Sequence, residues 1–167
     1  RNADIVQMAT YAPLFAHIEG WQWRPDLIWY DNLRSFRTAS WHVQQMYSEY
    51  RGERVLKTTS GGAPLCGAEG QDGLFASAVL DGDRIYVKIV NTSADEQKVG
   101  LNFSGLKKRQ KIEAEKRVNL HSYDLYEDNS LDRPDAFEPY TGSFDFSDGR
   151  VNAEPYSFSI YCFRISR

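Results

Sequence analysis

"LFASAVLDGDRIYVKIVNTS", residues 74–93, decides the fold. Two runs of alternating side chains flank "DGD" at 81–83, a signal for a tight turn between antiparallel strands. In the second run Ile85, Val87 and Ile89 point one way, with Tyr86 and Lys88 opposite. Working outward, the period-two pattern opens at "RVLKTTS" (54–60) and is interrupted by a Gly-rich loop over 60–73. It returns in "QKVGLNFSG" (97–105) through Val99, Leu101 and Phe103, and in 116–127 through Val118, Leu120 and Tyr123. A second hairpin is expected around Asp148-Gly149. The closing run "YSFSIYCFRIS" is apolar on both faces and so predicts a central strand. Seven or eight short strands with turn signals between them predict an antiparallel, jelly-roll-like β-sandwich over 53–167. The stretch 128–141, with its two prolines, reads as an ordered surface excursion.

Before Gly52 the spacing is helical instead. Ile5, Met8, Ala9 and Ala12 predict a helix over 4–12, which Pro13 ends. "LFAHI" (14–18) reads as a short buried strand, and an aromatic loop follows over 19–37. Val43, Met46, Tyr47 and Tyr50 predict a second helix over 39–50, capped by Thr38 or Ser40 and stopped at Gly52. Residues 1–52 are thus expected to be an α/β piece that cannot close a core alone.

A net charge of −3 argues against nucleic acid or an anionic membrane as the main partner. No run of eighteen apolar residues offers a membrane span. The chain opens on Arg1 with neither methionine nor a signal peptide, which reads as a boundary with sequence upstream. Cys66 and Cys162 give no disulfide framework and are expected as free thiols, one bridge being the alternative. No spacing calls for a metal or a cofactor: His17, His42 and His121 are scattered, and "SGGAPLCGAEG" lacks the lysine of a phosphate loop. His17 reads as a satisfied core histidine. "KKRQKIEAEKR" (107–117) reads as a solvated hairpin, and Asn91-Thr92-Ser93 has the form of a glycosylation acceptor.

The skeleton "YAPLF…W.PDLI…DN…VQ…S" resembles the end of the catalytic barrel in α-L-arabinofuranosidases of glycoside hydrolase family 51. "DNSLDRPDAFEP" and "PYSFSIYCFRI" resemble the same family's C-terminal β-sandwich. The resemblance implies that residues 1–52 are the last βα unit of a (β/α)8 barrel. Residues 4–12 would be the helix before the eighth strand, 14–18 that strand, and 39–50 the closing helix. Loops after barrel strands lie on the active-site face, so 19–37 would form a wall of the sugar pocket. The family's two catalytic glutamates stand on earlier strands, upstream of Arg1. The resemblance therefore implies a fragment that hydrolyses nothing alone, from a retaining enzyme acting on arabinose-containing plant glycans.

Trp21, Trp23, Trp29 and Tyr30 are candidates to line a sugar subsite, with packing of the loop as the alternative for each ring. Trp23 leads, because the family carries a Trp-Arg pair here. Relatives follow that pair with a sugar-contacting glutamine; Pro25-Asp26 stands in this chain, and Asp26 is the candidate replacement. Glu19 is expected to stabilise the loop rather than to react. Two rival readings are a non-catalytic carbohydrate-binding module and a purely structural sandwich. The segment 1–52 is expected to dock on the sandwich, with a homo-oligomer left open. A polysaccharide substrate favours a periplasmic or extracellular location.

Overall fold

The expected hairpin forms the middle of the molecule. In the computed structural model, which describes residues 2, 4–61, 63–64 and 73–167, Asp81 pairs with Arg84 across a two-residue turn. Gly82 takes φ 57° there, a left-handed conformation that glycine adopts without strain. In chain order the elements are β1 (Phe15–His17), β2 (Ile28–Tyr30), β3 (Ser35–Arg37), α1 (Ala39–Glu49), β4 (Arg54–Leu56), β5 (Thr59–Ser60) and β6 (Ala63–Pro64). They continue with β7 (Leu74–Asp81), β8 (Arg84–Asn91), β9 (Gln97–Gly100), β10 (Lys111–His121), β11 (Tyr140–Gly142), β12 (Arg150–Ala153) and β13 (Ser157–Ser166).

A six-stranded antiparallel sheet runs β11-β10-β13-β8-β7-β4, and a two-stranded sheet, β12-β9, faces it. Between them lie Ile85, Val87 and Ile89 of β8, Tyr161 and Phe163 of β13, and Val151 and Ala153 of β12. Phe163 is fully buried and meets Phe103, Phe144 and Phe146 edge-on at 5.0, 5.3 and 4.9 Å. The opposite face of the same strands carries Tyr86, Val118, Leu120, Phe158, Ile160 and Cys162, and α1 covers it with Met46. β13 is thus apolar on both faces because it lies centrally between β10 and β8 with a layer on either side. The Cys162 thiol is free, and burial pushes its pKa up to about 11. Cys66 and most of the Gly-rich loop lie outside the described residues.

α1 starts as expected: the Thr38 hydroxyl accepts the Trp41 amide at 3.4 Å. Gly52 has a steric reason to be glycine. A Cβ there would sit 2.7 Å from the Leu80 carbonyl oxygen and 2.8 Å from the Val79 Cβ.

Several expectations are corrected. Residues 4–12 form no helix; only a turn at Asp4-Ile5 appears, and Ile5 and Met8 are 74% and 82% exposed. A nine-residue amphipathic segment is too short to hold a helix without a surface beneath its apolar stripe. The strand expected over 14–18 shortens to β1, where only Ala16 is buried. The aromatic loop contains β2 and β3. The assigned ladder of 97–105 stops at Gly100; the Leu101 amide still donates to the Gly149 carbonyl at 2.9 Å, and Leu101 and Phe103 pack on the core. β10 begins earlier than expected, at Lys111, so 111–117 is ladder rather than hairpin, and Tyr123 is 80% exposed. The turn at Asp148-Gly149 forms, but its arms do not pair with each other: β11 joins β10 and β12 joins β9. Phe144 and Phe146 draw the incoming arm into the core, so the chain changes sheets there. Asn91 is 1% exposed and donates its side-chain amide to the carbonyls of Asp95, Ala153 and Glu154, which removes it as a glycosylation acceptor.

Candidate functional site

The aromatic segment is built on a three-stranded sheet, β1-β2-β3. β1 and β2 run parallel, while every other ladder among the described residues is antiparallel. A parallel pair needs a long crossover, and residues 18–27 supply it. That crossover carries Trp21, Trp23, Arg24 and Asp26.

Trp29, on β2, is 5% exposed and forms the floor. Trp21 meets it edge-on at 5.8 Å and is 47% exposed. The Arg24 guanidinium lies 5.1 Å from the Trp21 ring centroid and 4.8 Å from that of Trp29, so its charge rests against two indoles. Trp23 is 58% exposed and makes no ring contact among the described residues. Tyr30 is edge-on to His17 at 5.2 Å. The structure thus brings Trp21, Arg24 and Trp29 together and leaves Trp23 beside them as an open indole.

Asp26 differs in kind. It is 1% exposed, and neither carboxylate oxygen has a hydrogen-bond partner among the described residues. Its main-chain carbonyl accepts the Thr38 hydroxyl at 2.9 Å, which ties the crossover to the start of α1. His17 is half-buried rather than in the core, and its Nδ1 accepts the Glu19 amide at 3.2 Å. The Glu19 side chain is exposed and makes no hydrogen bond among the described residues, so the expected stabilising role falls to its backbone.

One residue that the sequence did not mark as functional ties the segment to the excursion 128–141. Asn129 is 4% exposed; its amide donates to the carbonyls of Arg37 (2.8 Å) and Phe137 (2.9 Å), and its carbonyl oxygen accepts the Phe137 amide (2.7 Å). The excursion 128–141 is therefore fastened to the end of β3. Its signal was an asparagine followed by two prolines, Pro134 and Pro139, which says "ordered loop" but names no partner. His42, on α1, is 2% exposed with neither ring nitrogen hydrogen-bonded, and burial lowers its pKa. At the rim, Asp31 accepts the Leu33 and Arg34 amides at 2.8 and 2.6 Å, which lower its pKa, and Arg34 also reaches Asp132 at 2.9 Å.

The family model for the alpha-L-arabinofuranosidase C-terminal domain matches residues 1–157, and the chain belongs to that family. Alpha-L-arabinofuranosidase 1 of Arabidopsis thaliana is 29% identical over 168 residues, covering 96% of this chain and 24% of its own length. A probable alpha-L-arabinofuranosidase A of Aspergillus flavus is 38% identical over 109 residues, 63% of this chain and 16% of its own. Among solved structures, an arabinose-bound GH51 α-L-arabinofuranosidase superposes with TM-score 0.82 at 22% identity, over 99% of this chain and 25% of that one. A family 51 α-L-arabinofuranosidase from Bifidobacterium longum gives 0.68 at 16% identity, over 97% of this chain and 30% of that one. The chain thus spans about a quarter or less of the length of the curated relatives cited here. No helix among the described residues is long and apolar enough to cross a membrane.

Proposed function

We propose that this chain serves as the C-terminal part of a retaining α-L-arabinofuranosidase that removes terminal arabinofuranosyl groups from plant polysaccharides or oligosaccharides. In that reaction one carboxylate attacks the anomeric carbon, and a second protonates the departing oxygen and then activates water. Both glutamates come from chain outside residues 1–167. Residues 1–52 form the last βα unit of the catalytic barrel and 53–167 the sandwich. The match of residues 1–157 to the family's C-terminal domain carries this reading, and the parallel pairing of β1 with β2 is compatible with a barrel edge. The exposed apolar side chains Ile5, Val6, Met8, Leu14, Phe15 and Ile18 are the seam that the rest of the barrel covers.

Within the rim, Trp23 offers its face to the C–H side of a sugar ring. Trp21, stiffened by Arg24 and Trp29, is the side wall. Asp26, whose two unpartnered carboxylate oxygens are buried, stands behind the rim rather than on its open surface. The test is Trp23→Ala in the complete enzyme. Loss of one stacking face should lower kcat/KM for an arabinoside about 10- to 100-fold, or about 1.4–2.7 kcal/mol. An unchanged kcat/KM would remove Trp23 from the subsite.

A further inference from the structure

The smaller sheet is open along one side. Among the described residues β12 ladders only with β9, and between β12 and the segment Ser143–Asp148 lies a cavity of about 320 Å³. That is the lower end of the range for small-molecule sites, roughly 300–1,000 Å³, and suits one sugar ring. Tyr161 and Arg117 reach it from the large sheet.

The cavity is preformed. The Tyr161 hydroxyl donates to the Asn152 carbonyl at 2.6 Å. The Phe144 ring is held edge-on by Tyr161 at 5.2 Å and by Phe163 at 5.3 Å. Arg117 is anchored by Glu154 at 3.2 Å, while its Nε is buried without a hydrogen-bond partner. Asp145 is fixed by the Ser147 amide and hydroxyl, both at 2.9 Å, and Asp148 by the Arg150 amide at 3.0 Å.

The charges balance. Lys98, Arg117 and Arg150 are matched by Asp145, Asp148 and the Glu154 that holds Arg117. An anion gains little from such a lining. A neutral polyol gains more: Lys98 and Arg150, unpaired with any acid among the described residues, are donors, and carboxylates with spare lone pairs are acceptors. Phe144 supplies an apolar wall for a sugar's C–H face. We infer that this cavity is a second glycan-binding site, which holds one ring of a neutral oligosaccharide away from the aromatic rim. Only the choice of an arabinan-type probe rests on the function proposed above.

The experiment is an amide-resolved NMR titration of the 167-residue chain with α-1,5-arabinotriose and, separately, xylotriose, with galacturonate and acetate as charged comparators. Saturable shifts over residues 143–152 with a neutral sugar are expected. The double variant Lys98→Ala/Arg150→Ala, both exposed positions, should raise the half-saturation concentration tenfold or more. An unchanged half-saturation in that variant overturns the site. So do saturation by galacturonate or acetate alone, shifts confined to residues 21–30, and no shift up to about 100 mM of either neutral sugar. Binding of xylotriose but not arabinotriose supports the cavity and counts against the arabinosidase reading, so the two fail separately.

Discussion

Met46→Ala tests whether the aromatic rim and the sandwich fold as one body. Met46 is 1% exposed and lies where α1 meets Tyr86, Val118, Leu120, Phe158, Ile160 and Cys162. Truncating a buried methionine to alanine costs about 2–5 kcal/mol, depending on how far the site can collapse. An apolar cleft of about 300 Å³ runs beside the helix, lined in part by Val43, Leu120, Phe137 and Phe158, so neighbours have room to relax. The lower half of the range applies, about 2–3 kcal/mol, or about 5–10 °C in Tm for a chain of this size. All four tryptophans, Trp21, Trp23, Trp29 and Trp41, stand before Gly52. Tryptophan fluorescence therefore reports the rim, and far-ultraviolet circular dichroism reports the strands of the sandwich. The two melting curves should coincide and should move down together in the variant. A variant in which fluorescence shifts while the strand signal stays would refute the single body.

Asn129→Ala removes one hydrogen bond that joins the excursion to Arg37 and two that close the excursion on Phe137; it should cost about 1–3 kcal/mol and expose 122–138 to limited proteolysis before the rest unfolds. His42 carries a pH dependence of definite sign. Burial holds its folded-state pKa below the ordinary value of 6.5, despite the opposing charges of Glu138 and Asp128 and with that of Arg37 in support. The unfolded chain therefore takes the proton first, so this contribution is present above about pH 6.5 and is lost as pH falls. His42→Leu should flatten the fall in Tm between about pH 7 and 5 relative to the parent chain, measured in the same buffers.

The sandwich was legible because burial on one face writes a period of two into the strands, and because Asp81-Gly82-Asp83 fixes a register. β13 was legible as central since two covered faces leave apolar residues at both phases. Which strand pairs with which was less legible. Asp148-Gly149 announces a turn, but the pull of Phe144 and Phe146 toward Phe163, which parts the two arms, is a three-dimensional fact. Periodicity also misread 4–12, since an apolar stripe predicts a helix only where a surface receives it. In the candidate site, the clustering of indoles was visible in the sequence, and the exposure that separates Trp23 from buried Trp29 was not. Asp26 was singled out as a polar contact; its burial without a hydrogen-bond partner became visible only in the fold.

The most direct measurement is hydrolysis of a chromogenic α-L-arabinofuranoside by the purified 167-residue chain, beside the same chain joined to a family 51 barrel. The account predicts turnover by the joined protein and none by the chain alone, because the reacting glutamates lie outside it. Turnover by the chain alone, abolished by a substitution within residues 1–167, would contradict it.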